Sequence, residues 1–273
     1  MTFKKWVKTP KGYVVIAMIS FLIFATIGYK DMGGFKNALV AVIAGVVVDA
    51  ALNIKKRGRK WTVPDGAVIT GLIIALVSST AASMWVIAST AVLAILSKHF
   101  IAYKNKPIFN PAAVGLLLSY LLFRTGQSWW GAFGDLTSWT ILLLLIGGYI
   151  IVNRVHKFPQ VFTFLGTSFL LLAIMGFFHS TLAADAFRPP FINATLFFAF
   201  FMLTDLPTSP AKDKDQIIYG FLTGAIGTLI YALSGGLLYL FIGLCLGNLF
   251  TYYRKRSGSK AKMRKPIHMR RSS

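Results

Sequence analysis

Three short stretches of the chain set prolines beside helix-capping and hydrogen-bonding side chains in otherwise apolar surroundings. TVPDGAVITGLIIAL (62–76) places Pro64, Asp65 and Gly66 at the start of an apolar run. NKPIFNPAAVGLL (105–117) has Pro107 and Pro111 on either side of Phe109 and Asn110. TDLPTSPAKDKD (204–215) gathers Thr204, Asp205, Pro207, Thr208, Ser209 and Pro210 at the end of another apolar run. Asp, Asn, Thr and Ser beside proline cap helices, and a helix start exposes N–H groups with a partial positive charge. Such ends accept phosphates, carbonyl oxygens or carboxylates. Taken singly, each stretch reads as an ordinary cap between helices. Three on one side of a bundle would instead make a shared polar site.

Asp49 is the one acid inside an apolar run, and a carboxylate at membrane depth is costly enough to be a candidate ion or proton site. It also lies one turn from Asn53 and near Lys55 and Lys56, so a capped carboxylate reaching toward lysines is an equal reading. His99, His156 and His179 fall near the ends of apolar runs and read as interfacial. Cys245 is the only cysteine, which excludes an internal disulfide, a CxxC redox pair and a cysteine-ligated iron–sulfur cluster within the chain. No two histidines share helical spacing deep in a run, against a bis-histidine haem, and no GxxxxGK[ST] occurs, against an ATP-driven pump.

The elements that must position these residues are membrane spans. Of the 273 residues, 56% are hydrophobic and 14% charged, where soluble domains carry about 25% charged residues. All eight acids are Asp, against 29 Lys and Arg. A soluble fold of this length could not hide so much apolar surface, so the class is an all-α, polytopic helical bundle. Ten spans are predicted near 13–29, 36–54, 67–82, 83–97, 107–123, 139–153, 161–178, 190–204, 216–234 and 235–252. The apolar run after the charged start MTFKKWVKTPKG has no small-residue cleavage site behind it and is read as a retained first span.

With the N-terminus inside, 25 of the 29 Lys and Arg fall on inside segments; only Lys30, Lys36, Arg124 and Arg188 lie outside. The expected organisation is one transmembrane domain, 1–252, and a basic cytoplasmic tail, 253–273, in a bacterial-type plasma membrane with both termini cytoplasmic. All three interrupted stretches then sit at cytoplasmic helix ends. The basic runs 55–60 and 254–271 read as topology signals that dock on anionic membrane lipid at about 1 kcal/mol per residue; no nucleic-acid partner is expected.

A weak internal echo, IFNPAAVGLLLSYLL (108–122) and FINATLFFAFFML (191–203), starts on opposite faces, as an inverted repeat of five plus five helices would require. The outer loop RTGQSWWGAFGDLTSW (124–139) holds Trp129, Trp130 and Trp139, which read as an aromatic belt. Alternatively they form a stacking platform, with Gln127, Ser128 and Asp135 beside them. The Phe-rich stretch 196–201 reads as lipid-facing or core packing.

DGAVITGLIIAL, NKPIFNPAAVGL and FFMLTDLPTSP followed by IIYGFLTGAIGTLIYAL, in this order, resemble the NqrB/RnfD family. These are membrane subunits of the sodium-pumping NADH:quinone oxidoreductase and of the Rnf ferredoxin:NAD oxidoreductase. The resemblance covers about 60–235. It implies a ten-helix bundle, bound flavin (FMN or riboflavin), and electron transfer among other membrane redox subunits, a flavoprotein or quinone, coupled in the large complexes to Na+ or H+ movement. Family members carry a Ser/Thr-Gly-Ala-Thr sequence whose last Thr takes FMN through a phosphoester. This chain has none: the nearest string, Thr223-Gly224-Ala225-Ile226, lacks the acceptor. Flavin is therefore expected to be non-covalent, held by Asp65, Gly66, Phe109, Asn110, Pro111, Thr204, Asp205, Thr208 and Ser209. The chain has no nucleotide-binding module and is not a complete enzyme alone. The rival is a flavin-independent channel or transporter for a small polar solute.

Overall fold

The computed structural model describes residues 3–57, 64–178 and 181–264. The described residues form an all-α membrane protein whose helices reproduce the ten predicted spans. They are α2 (Pro10–Tyr29), α3 (Gly33–Arg57), α4 (Asp65–Val77), α5 (Met84–Phe100), α6 (Pro111–Phe123), α7 (Ile141–Val155), α8 (Phe158–Phe177), α10 (Phe191–Phe197), α11 (Asp213–Ser234) and α12 (Leu238–Arg264), with short helices α1 (Phe3–Val7) and α9 (Thr181–Ala186) between them. A two-stranded hairpin, β1 (Ala102–Tyr103) with β2 (Lys106–Pro107), joins α5 to α6. Helix α12 runs past residue 252 into the basic segment. Much of the 55–60 cluster and of the 253–273 tail lies outside the described residues.

Among the described residues, five segments are long and apolar enough to cross a membrane by themselves: Pro10–Tyr29, Gly33–Ile54, Ser138–Val155, Phe158–Phe177 and Asp213–Ser234. Others are short. Helix α4, with 13 residues, spans about 20 Å at 1.5 Å per residue, against a hydrocarbon layer of about 30 Å. The residues after α6 make up the difference. They fold back as a plug in which the backbone N–H groups of Ser128 and Trp129 both donate to the last carbonyl of α4, Val77 O, at 3.0 Å. The Ser128 hydroxyl donates to Ser78 O at 3.1 Å, so the end of α4 is satisfied by protein where no water is available.

The plug corrects the expected aromatic belt. Trp129 and Trp130 are fully buried, and of the three tryptophans in the loop only Trp139 is exposed. The Trp130 indole donates to Ala75 O at 2.7 Å. Trp129 stacks on Phe241 with centroids 5.4 Å apart, so that face is already filled by the protein's own ring. A Cβ at Gly34 would overlap the Trp130 ring, so glycine there makes the seat.

Packing repeats between the two halves. In the first, α2 packs on α4, α3 on α5 and α5 on α6; in the second, α7 packs on α10, α8 on α11 and α11 on α12. Successive helices reverse direction, so equivalents five crossings apart are inverted. Close approach rests on glycine in both halves: Gly115 meets the Thr90 carbonyl and Ala94 of α5, while Gly243 meets the Thr223 carbonyl and Gly227 of α11. The equivalent pairs are thus α4 with α10 and α6 with α12. The echo between 108–122 and 191–203 matched α6 with α10, which the packing does not; shared Asn and Ala in a Phe-rich, Ala-rich chain produced it.

The Phe-rich stretch is core: Phe197, Phe198, Phe200 and Phe201 are all buried. It also leaves α-helical geometry, forming a π-helical turn over Phe198–Met202, a departure that often marks functional positions.

Candidate functional site

The three interrupted stretches converge. Gly66 at the start of α4, Asn110 and Pro111 at the start of α6, and Thr204 and Asp205 beyond the π-helical turn line one cavity of about 450 Å³, together with Asp49 of α3. Apolar walls come from Val14, Ile69, Ile73, Ile151, Val155 and Phe201. An apolar lining with a few convergent polar groups is the usual build of a cofactor or small-ligand site.

Asn110 is the keystone. It is the N-cap of α6, accepting from Ala113 N at 3.2 Å through its side-chain oxygen. Its amide nitrogen donates to Met202 O at 3.2 Å, a carbonyl at the end of the π-helical turn. Its backbone N–H donates to Asn248 Oδ1 at 2.9 Å, and Asn248 in turn donates to the Tyr219 hydroxyl at 3.0 Å. One residue therefore ties α6, the break after α10, α12 and α11 together. Pro111 follows at the first helical position, where its missing N–H costs nothing.

Asp49 is buried and fully engaged. Its Oδ1 lies 2.7 Å from both Lys98 Nζ and His99 Nε2, and its Oδ2 accepts from Asn53 Nδ2 at 3.1 Å. An ionised carboxylate only accepts, so His99 presents Nε2–H to it. The expected Asn53 contact is present. Lys98 and His99 both come from α5, while the side chains of Lys55 and Lys56 lie outside the described residues. His99, expected at the interface, is a cavity residue. Gly66 stands where a Cβ would lie 3.3 Å from Lys98 Nζ, leaving room for that ammonium group.

Asp65, Phe109, Thr208 and Ser209 surround the cavity without lining it. Asp65 accepts from the Trp6 indole at 2.7 Å and sits 4.0 Å from Lys11 Nζ, so it fastens the N-terminal segment over the start of α4. Phe109 is half-buried and takes no part in the lining. Thr208 donates to Asp205 Oδ2 at 2.7 Å, and Ser209 is buried with its hydroxyl unpartnered. Thr204 spends its hydroxyl proton on Phe200 O at 2.6 Å. Apolar surroundings raise the Asp205 carboxyl above the usual range, opposed by the Thr208 hydroxyl and by the charges of Lys11, Lys255 and Lys157. Lys157, ahead of α8, donates to Pro210 O; burial and the like charge of Lys255 push its ammonium down to about 8.

A family model for the NQR2, RnfD, RnfE family matches residues 3–138 and 124–251. The chain belongs to this family. Among relatives, the D subunit of a proton-translocating ferredoxin:NAD(+) oxidoreductase complex from Clostridium ljungdahlii is 23% identical over 253 residues, covering 73% of this chain and 76% of that protein. The D subunit of an ion-translocating oxidoreductase complex from Methanosarcina acetivorans is 24% identical over 231 residues, covering 77% and 74%. Its counterpart from Rhodobacter capsulatus is 35% identical over 107 residues, covering 38% of this chain and 27% of its own. Within this family member, Lys98, His99, Asn248 and Tyr219 were missed by sequence reasoning. No local pattern marks them. Lys98 and His99 end a helix like any basic pair, and Asn248 lies 138 positions from its partner.

Proposed function

We propose that the chain is an integral membrane electron-transfer subunit whose cavity holds a flavin, FMN or riboflavin, without a covalent bond. The observation that carries this reading is the convergence of three broken helix ends on one cavity with a chain of satisfied polar groups in an apolar wall. The volume of about 450 Å³ falls within the roughly 300–1,000 Å³ of small-ligand sites. The donors and acceptors around it suit a flat heterocycle with a polar edge: Asn110 with the backbone of the α6 start, Thr204, and Asp205. Phe201, Ile69, Ile73 and Val14 would cover the ring faces and keep water away. A flavin supplies the capacity to accept and pass on electrons.

The protein's own contribution is placement and electrostatics. Asn110 and the π-helical turn hold the cavity floor. Asp49 with Lys98 and His99 forms one polar wall; an ion or a proton is exchanged there only when Lys98 or His99 gives way. Electrons enter and leave through other membrane redox subunits, a flavoprotein or quinone, and the relatives' names motivate coupling to ion movement. Both termini face the cytoplasm, so the cavity opens on that side.

Purified protein should show a flavin absorbance spectrum in mild detergent. The flavin should leave on denaturation, with no fluorescence on the polypeptide band of a denaturing gel. A colourless, folded protein that moves a polar solute across vesicles would favour the transporter reading. Fluorescence retained on the denatured band would show a covalent site.

A further inference from the structure

A second cavity, of about 470 Å³, lies on the other side of the β1–β2 hairpin from the first. The hairpin is a partition: Ala102 and Asn105 face the first cavity, Tyr103, Lys104 and Lys106 face the second, and Pro107 borders both. Strand geometry explains this, since successive side chains point to opposite faces. The turn between the strands puts Lys104 at φ 51° and Asn105 at φ 60°, the left-handed pair that a two-residue hairpin requires.

The charge of this second cavity is one-sided. Lys104 and Lys106 come from the hairpin, Arg254 and Lys255 from α12 opposite, and among the described residues no acid lines it. Arg254 is balanced by Asp215 at 2.5 Å, and Lys255 donates to Pro207 O at 3.0 Å. Burial, and after it the nearby charge of Lys106, lower the proton affinity of Lys255, opposed by the charge of Asp205. Hydroxyls of Thr208, Thr251, Tyr103 and Tyr252 complete the lining, and Thr208 and Thr251 are buried. The Thr208 and Thr251 hydroxyls donate to Asp205 Oδ2 and Gly247 O, so cations converging from two elements, with the Tyr103 and Tyr252 hydroxyls between them, are what would match a tetrahedral oxyanion with several acceptor oxygens. The position, at the end of the apolar stretch of α12, is the depth at which lipid head groups meet basic pockets between helices.

We propose that this second cavity binds a phosphate group, from an anionic lipid head group or from a soluble phosphate compound. Binding there braces the hairpin that forms the wall of the first cavity. It relieves the repulsion between Lys106 and Lys255. The proposal stands apart from the flavin reading, because Pro107 alone lines both cavities, and Thr208 of the second reaches the first only through its bond to Asp205.

The full chain in uncharged detergent is titrated with inorganic phosphate against sodium chloride at matched ionic strength, and reconstituted in nanodiscs of phosphatidylglycerol or of phosphatidylcholine. The thermal midpoint should rise saturably with phosphate, with phosphatidylglycerol, or with both, and the responding arm identifies the source. The K104Q/K106Q variant should weaken that response about tenfold or more, since each charge-assisted contact is worth about that factor. The single K106Q serves where the double variant does not fold. K4Q/K5Q removes two exposed charges of α1, away from the cavity, and should leave the response unchanged. No saturable response in either arm, or an equal loss in K4Q/K5Q, would overturn the proposal.

Discussion

Asn110 shows what a single side chain is asked to do. Its truncation leaves Ala113 N without its partner and Met202 O with only the longer 3.4 Å bond from Asp205 N in a buried region, and loss of a buried partner costs about 1–3 kcal/mol. Asn110→Ala should therefore weaken flavin binding about 5- to 150-fold while leaving membrane insertion intact, as read by flavin titration of the purified protein. Lys157 offers a pH-dependent test. Its folded pKa of about 8 lies below the ordinary 10.5 of a lysine. Between the two values the folded protein carries it neutral while the unfolded chain binds the proton, so stability rises with pH across that window. Below pH 8 both states are protonated and the cost of burying the charge is carried in full. Thermal melts of the native protein should improve from about pH 8 toward about pH 10, and the Lys157→Met variant should lose that part of the slope.

At the scale of elements, short helices work because other segments finish them. Helix α4 stops at Val77 and the plug completes it; the α10 segment breaks into a π-helical turn, and Asn110 and Gln160 take its free carbonyls at Met202 and Leu203. The plug's seat depends on the missing side chain at Gly34. Gly34→Ala drives a Cβ into the Trp130 ring, and overpacking of this kind costs roughly 1–3 kcal/mol. A thermal melt should fall accordingly, and Gly34→Leu should give little folded protein. Gly166 is the control: a Cβ there meets nothing within 4 Å. In a helix interior, Gly166→Ala should leave stability unchanged or raise it by up to about 1 kcal/mol.

The whole molecule is two inverted units of five helices whose broken ends face one side. By the positive-inside rule, the distribution of Lys and Arg, 25 against 4, predicts that side to be cytoplasmic. A reporter fused after Ser273 should be active only when it is of the kind that works in the cytoplasm. Activity of an exported reporter at that position would reverse the orientation and with it the side on which the candidate cavity opens. Tail charges alone do not decide it, because short inner segments carry most of the asymmetry.

Helix number and the three break points were legible in the chain because both are local. Hydrophobic length defines a span, and proline beside Asp or Asn stops one wherever it occurs. That the breaks lie on one side followed from counting spans, and their meeting at one cavity agrees with it. Pairing between distant residues was not legible. Asp49 pairs with Lys98 and His99, 49 and 50 positions away. Trp129 and Trp130 look interfacial by type, yet they are buried because the loop that carries them folds inward to finish α4. Matching α4 with α10 likewise depended on packing, since the repeat survives in the order of contacts while the side chains have diverged. What the amino acids determine locally is where a helix begins, ends and prefers lipid. Only the tertiary structure decides which buried polar group satisfies which, because each choice depends on what the rest of the bundle brings within about 3 Å.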